Sequence, residues 1–212
     1  TATTTPHVLF SADLISPQVQ AALPDGYVLR ALRRTDFASG FLECLRVLTT
    51  VGDVDEAGFE EQYDAMARQG GYYIVAIEDM SRQENSVVAT GALIVERKLY
   101  VLLAPRTATP LPLQLPPNHR GIEQSLANLE RIHSLGAVGH IEDIAVAKDQ
   151  QGKKLGLRLI QALDFIAENV GCYKSILDCS ETNEGFYVKC GFRKAGLQMA
   201  HYYEGSSKTK SS

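Results

Sequence analysis

The stretch from Gly139 to Leu163, GHIEDIAVAKDQQGKKLGLRLIQAL, constrains the fold more than any other. Ile144, Ala145 and Val146 read as a short apolar strand running into a polar turn with Gln151 and Gly152. Beyond the turn, Leu159, Leu163, Ile166 and Val170 recur at spacings of four, three and four, the period of a helix with one buried face. Gln161, Asp164 and Glu168 take its other face. A strand, a glycine-bearing turn and a helix in succession point free backbone N–H groups outward at the positive end of the helix dipole. Such a joint cradles an anion and suits a pyrophosphate. It lacks the three-glycine array of a dinucleotide site and the Gly-Lys-Ser/Thr of a nucleotide-hydrolysing loop. Glycine also serves such joints for geometry alone, so the turn by itself fits a binding role and a structural one.

The rest of the chain supplies the setting. Its 212 residues, 45% hydrophobic and 22% charged, suit a single globular domain with a full core. A net charge of −4 argues against non-specific nucleic-acid binding, which needs a basic face. No apolar run reaches the length of a membrane span. The N-terminal TATTTPHVLF has no basic stretch before an apolar core, so a cytoplasmic location is expected. Cys44, Cys172, Cys179 and Cys190 lack zinc spacing and are expected to be reduced. No metal is expected: neither His133 nor His140 has a second ligand at helical or hairpin spacing.

Residues 1–24 read as an N-terminal extension. Tyr27, Leu29 and Ala31 alternate with Val28, Arg30 and Leu32 in a first strand. Thr35 is placed to cap a helix with Asp36 in its first turn and Phe37, Phe41, Leu45 and Leu48 inward, ending at Gly52. Asp55 caps a second helix reaching about Arg68, with Phe59, Tyr63 and Met66 inward. Tyr72 to Glu78 and Val87 to Arg97 are rich in strand formers and should pair antiparallel across a polar hairpin. Five of the eight prolines fall in 105–117, within a stretch of about 99–131 that reads as an insertion. Tyr173 to Cys179 is a further strand, Ser180 begins a helix ended by Gly191, and Phe192 to Tyr203 reads as a final strand or pair. Residues 204–212 read as a disordered tail. The expectation is one α/β domain over 25–203, its sheet mixed and mostly antiparallel, flanked by helices.

The turn from Gln151 to Gly156 resembles the Gln/Arg-x-x-Gly-x-Gly/Ala turn of the GNAT acetyltransferases, with Lys154 where that pattern has its middle glycine. GHIEDIAV, GCYKSILDC and NEGFYVKCGF, in that order, with RVLTTVG near the start, closely resemble the glucosamine-6-phosphate N-acetyltransferase family. The resemblance covers roughly 24–98 and 132–203. It implies a GNAT-type fold and acetyl transfer from acetyl-CoA to the 2-amino group of glucosamine 6-phosphate, a step toward UDP-N-acetylglucosamine. It also implies direct attack in a ternary complex and a homodimer whose C-terminal strands cross to complete each sugar site. Neither nucleic acid nor membrane is an expected partner.

Carried over by motif, Glu142, Asp178 and Tyr187 are the implied catalytic residues. Ile144, Ala145, Val146, Gln151, Gly152, Lys153, Lys154, Leu155, Gly156, Leu157, Asn183 and Tyr187 are implied to hold the coenzyme. Thr49, Glu142, Asp143, Ile144 and Asp178 are implied to meet the sugar. Tyr202 falls where some relatives have an Arg that reaches the sugar phosphate. Lys98, Arg131, His133 and Lys174 are the candidate phosphate partners. The residue types fit the chemistry. An ammonium must lose a proton before it attacks, the acetyl oxygen gains charge, and the leaving thiolate accepts a hydrogen bond. Each residue also has a plainer reading: Glu142 and Asp143 as solvated edge charges, Asp178 as a turn acceptor, Tyr187 as half-buried packing. Two other functions stay open at this point: acetyl transfer to a different amine, and coenzyme binding without catalysis.

Overall fold

A computed structural model describes residues 8–84, 86–98 and 136–200. His133, Tyr202 and the whole of the 99–131 stretch, Arg131 included, lie outside them. The chain divides into two units, Thr1–Leu177 and Asp178–Ser212.

The first unit is built on a sheet ordered β1-β2-β3-β4-β5. Its strands are β1 (Tyr27–Ala31), β2 (Tyr72–Asp79), β3 (Val87–Arg97), β4 (Ala137–Val146) and β5 (Cys172–Ile176). The first three pairings are antiparallel and β4 with β5 is parallel. A parallel neighbour needs a crossover, and helix α4 (Leu155–Asn169) supplies it. Helices α1 (Pro17–Ala21), α2 (Phe41–Leu45) and α3 (Glu56–Gln69) precede it. The mixed, mostly antiparallel sheet agrees with the sequence reading.

The apolar stripe of α4 is buried as its spacing requires: Leu155, Leu159, Leu163 and Ile166 are all nearly inaccessible. A second cluster covers the other side, with Leu32, Phe41, Cys44, Phe59, Tyr63, Ile74, Ala76, Ala92 and Ala145. Phe41 and Phe59 meet edge to face at 5.8 Å between centroids.

Three boundaries differ from expectation. The helix expected from Thr35 begins at Phe41, after Gly40 in a left-handed conformation. Asp36 is the cause. Its carboxylate accepts two hydrogen bonds from Arg30 at 2.8 and 2.9 Å and one from the Arg33 backbone at 2.8 Å. Those bonds hold residues 33–36 in a turn. Arg30 also donates to Glu78 at 2.7 Å, so a nearly buried guanidinium is matched by two carboxylates. Burial pushes the Glu78 carboxyl up, but the bonds from Arg30 and Ser86 outweigh it and the net shift is downward.

The segment read as an extension packs on the sheet from Val8 onward. Phe10, Val19 and Leu23 are buried. The Gln20 amide accepts from Leu29 N at 2.8 Å and donates to Tyr27 O at 3.1 Å. It thereby occupies backbone groups on the outer edge of β1.

The second unit holds α5 (Glu181–Lys189). Ser180 stands at its cap position, but its hydroxyl pairs with Thr182 Oγ1 at 2.8 Å and not with a helix N–H. Residues 192–200 form no strand. Alternation of apolar side chains does not make a strand without a neighbouring strand to bond. Leu197 and Met199 are 91% and 95% exposed.

Candidate active site

The irregularity in β4 organises the site. Ala92 pairs with Glu142 and Thr90 with Ala145, so Gly91 alone stands opposite Asp143 and Ile144. This is a β-bulge in β4, and it sets Asp143 at a φ of 55°, a left-handed conformation rare outside glycine. Space at Gly91 is tight: a Cβ there would lie 2.6 Å from Ile144 Cδ1 and 3.1 Å from Leu163 Cδ1, so those side-chain ends would have to shift. On its other side β4 pairs with β5. Their pairing runs from Ala137 to His140, opposite Cys172 to Ile176, and stops. From Ile141 to Val146, β4 has no strand partner on that side among the described residues. Its backbone there faces the wedge left where the pairing stops, an edge of the kind that an extended amide-bearing ligand can join by strand-like hydrogen bonds.

At the end of β4 a short turn at Lys148–Gln150 leads through Gly152, at a φ of 84°, to Lys154, at 63°. Lys154 occupies the cap position of α4 and has no oxygen to accept from the first turn, so no side chain caps this helix. The N–H groups of Leu155, Gly156 and Leu157 begin a 15-residue helix there. A helix start without a side-chain cap is the geometry that the sequence reading expects of an anion cradle. The Lys153 ammonium reaches Tyr27 and Gln150, each through a hydrogen bond.

On the other side of the sheet lies a cavity of about 540 Å³. Phe41, Leu45, Phe59 and Met66 form apolar walls, and Asp53, Asp55, Gln62, Thr90 and Asp143 add polar groups. Asp55 is already committed to α3, accepting from Gly58 N at 2.8 Å. Thr90 donates to Val75 O at 3.0 Å. Asp143 is open to solvent on one side, yet enough protein surrounds its carboxyl that desolvation pushes its pKa up. Asp53, Gln62 and Thr90 were missed by sequence reading. Only position between two helix signals marked Asp53, and nothing in the pattern marked Gln62.

The expected residues divide between the two units. Glu142, Asp143, Ile144, Ala145 and Val146 follow one another along the bulged strand, and Gln151 to Leu157 follow in the turn and helix start. Thr49 lies exposed in the turn after α2, in the same unit. Lys98 follows β3, where it pairs with Glu96, as does His140 Nε2 at 3.1 Å. Those contacts, Lys98 first, hold the Glu96 carboxyl below the ordinary range. Lys174 stands exposed on β5 over the Tyr173 ring.

Asp178, Asn183 and Tyr187 belong to the second unit. Asp178 accepts from Gln198 Nε2 at 2.7 Å. Asn183 and Tyr187 are one turn apart on α5, Asn183 exposed and Tyr187 half-buried between Phe186 and Phe192. Cys44 is no candidate nucleophile: burial pushes its thiol up to about 11. Among the described residues, no three His, Cys, Asp or Glu side chains gather as a metal site requires. No helix among them is long and apolar enough to cross a membrane.

Comparison with known proteins agrees with this geometry. The acetyltransferase (GNAT) family model matches residues 36–192. Glucosamine 6-phosphate N-acetyltransferase of Candida albicans is 40% identical over 177 residues, 84% of this chain and 96% of that protein. Glucosamine 6-phosphate N-acetyltransferase 1 of Dictyostelium discoideum is 34% identical over 185 residues, 87% of this chain and 96% of that protein. The crystal structure of glucosamine-6-phosphate N-acetyltransferase from Arabidopsis thaliana superposes with a TM-score of 0.65 at 29% identity, over 84% of this chain and 99% of that one. The wedge beside a bulged β4, the uncapped helix that follows it and these relatives lead to one assignment: the chain belongs to the GNAT acetyltransferase family and, within it, to the glucosamine 6-phosphate N-acetyltransferases.

Proposed function

We propose that this chain transfers acetyl from acetyl-CoA to the 2-amino group of glucosamine 6-phosphate, giving N-acetylglucosamine 6-phosphate and CoA, a step toward UDP-N-acetylglucosamine. The observation that carries the proposal is the unbroken run from the β4 bulge to the uncapped N-terminus of α4. Glu142 and Asp143 stand at one end of that run and a helix start without a side-chain cap at the other.

Acetyl-CoA supplies an acetyl group activated as a thioester. Its diphosphate fits the turn from Gln151 to Leu157, where backbone N–H groups and a helix dipole meet it. Ile144, Ala145 and Val146 offer backbone partners along the wedge, and one N–H there takes the charge that develops on the acetyl oxygen. Glu142 removes a proton from the amine, directly or through a water, because an ammonium has no lone pair to attack with. The Asp178 carbonyl orients the nitrogen. Holding both partners in one complex supplies much of the acceleration. The Tyr187 hydroxyl donates to the departing sulfur, and Asn183 approaches the coenzyme on the same helix face. Thr49, Asp143 and Ile144 contact the sugar. Of the candidate phosphate partners, Lys98 and Lys174 lie among the described residues, and Lys98 there pairs with Glu96. The active form is a symmetric homodimer that shares its sugar sites, supported by the exposure of Leu197 and Met199.

Thiol release from acetyl-CoA tests the function. It should require glucosamine 6-phosphate and fall about a hundredfold or more in Glu142→Gln, the usual scale for a general base. Release equal with an unrelated amine such as a polyamine would overturn the acceptor. No release with any amine, despite coenzyme binding, would overturn catalysis.

A further inference from the structure

Lys153 does not extend freely from the cradle. Its ammonium donates to Tyr27 Oη at 2.6 Å and to Gln150 Oε1 at 2.7 Å. Tyr27 Oη in turn donates to the same Gln150 oxygen at 2.6 Å, closing a three-membered ring of hydrogen bonds. Gln150 is only 5% exposed, and its amide nitrogen is used by Asp149 at 3.2 Å. Asp149 pairs with Arg82 from the turn between β2 and β3, and Arg82 also reaches Asp79 at 3.4 Å. The turn that begins the cradle is therefore pinned from two outer elements, β1 and the β2–β3 turn.

We propose that Tyr27 and Gln150 are positioning residues for the coenzyme diphosphate. They act through Lys153, and the assignment rests on the coenzyme reading above. The turn contains a left-handed Lys154, a costly conformation that persists only when its surroundings fix it. Anchoring the residue just before it fixes that conformation and keeps the first N–H groups of α4 presented before any ligand arrives. It also leaves one of the three ammonium protons for a phosphate oxygen. Order established in the free protein is order that binding does not have to create. Tyr27 lies on β1, more than a hundred residues from the turn in sequence, and no glycine-turn pattern points to it.

Calorimetry with coenzyme A, in a cycle of Tyr27→Phe and Lys153→Met, tests this, together with kcat and KM for acetyl-CoA and kcat/KM for S-acetylpantetheine. Wild-type protein that fails to bind coenzyme A overturns the coenzyme reading itself. Given binding, Tyr27→Phe should weaken it about tenfold, the scale of one hydrogen bond to a charged group. KM for acetyl-CoA should rise by a similar factor with kcat near wild type. S-acetylpantetheine, which has no diphosphate, should be used with unchanged kcat/KM. Lys153→Met, at an exposed position, should lose at least as much affinity, and adding Tyr27→Phe to it should cause no further loss. Unchanged affinity in Tyr27→Phe, additive losses in the double variant, or equal losses for both donors would overturn the proposal.

Discussion

At the scale of single residues, Asp143 and Tyr187 make separate tests, one in each unit. Asp143 has its carboxyl pKa raised by desolvation. For an acid this means that the native state holds its proton more tightly than the unfolded state. Its contribution to stability is therefore largest at low pH and is lost as pH climbs from the ordinary carboxylate value to the raised native one. Asp143→Asn should remove that slope, making the variant gain on wild type as pH rises through the window, measured by urea unfolding at several pH values. A slope identical to wild type would contradict the assignment. Tyr187 makes a different test. Tyr187→Phe keeps the ring between Phe186 and Phe192 and deletes only the hydroxyl. If the hydroxyl meets the departing sulfur, kcat should fall about tenfold or more while acetyl-CoA affinity holds, since the bond strengthens as the thiolate forms. A kcat unchanged when chemistry limits turnover removes Tyr187 from the mechanism.

At the scale of elements, legibility followed the physics of each signal. The α4 stripe and the β2–β3 pair were legible because periodicity of 3.6 or 2 survives in sequence wherever one face is buried. The cap of α3 was legible because Asp55 sits just before an apolar rhythm and does accept from Gly58 N. The start of α2 was not, because Asp36 looks like a first-turn residue until its tertiary partner, Arg30, is known. The bulge was hidden for a related reason. HIEDIAV carries no mark of an extra residue, and the glycine that makes room for it lies on the neighbouring strand. Gly91→Val tests that dependence. Its side chain would press on Ile144 and Leu163, costing about 1–3 kcal/mol as overpacking does. It should also raise KM for acetyl-CoA by displacing the strand that lines the wedge. Loss of stability with KM unchanged would show that the bulge matters for folding alone.

At the scale of the whole molecule, sequence reading named the turn from Gln151 to Gly156 and the strand before it, and the structure shows an uncapped helix after the one and an unforeseen bulge in the other. Of the other residues it named, Asp178, Asn183 and Tyr187 belong to a second unit, and Tyr202 and His133 lie outside the described residues. The proposed dimer is testable at that second unit. Leu197 and Met199 are almost fully exposed there. Replacing both with Asp should cost a lone subunit little and destabilise an interface that buries them. Sedimentation should then show wild type as a dimer and the double variant shifted toward monomer, with KM for glucosamine 6-phosphate raised more than KM for acetyl-CoA. A monomeric wild type that is fully active would end the shared-site idea.

The central claim is direct transfer of one acetyl group to one sugar nitrogen. The most direct measurement is product analysis by NMR and mass spectrometry after purified protein meets acetyl-CoA and glucosamine 6-phosphate. The account predicts one acetyl group on the C2 nitrogen for each free thiol released, with no acetylated protein accumulating when the sugar is left out. Thiol release without an N-acetylated sugar, or a stable acetyl-protein formed from acetyl-CoA alone, would contradict it.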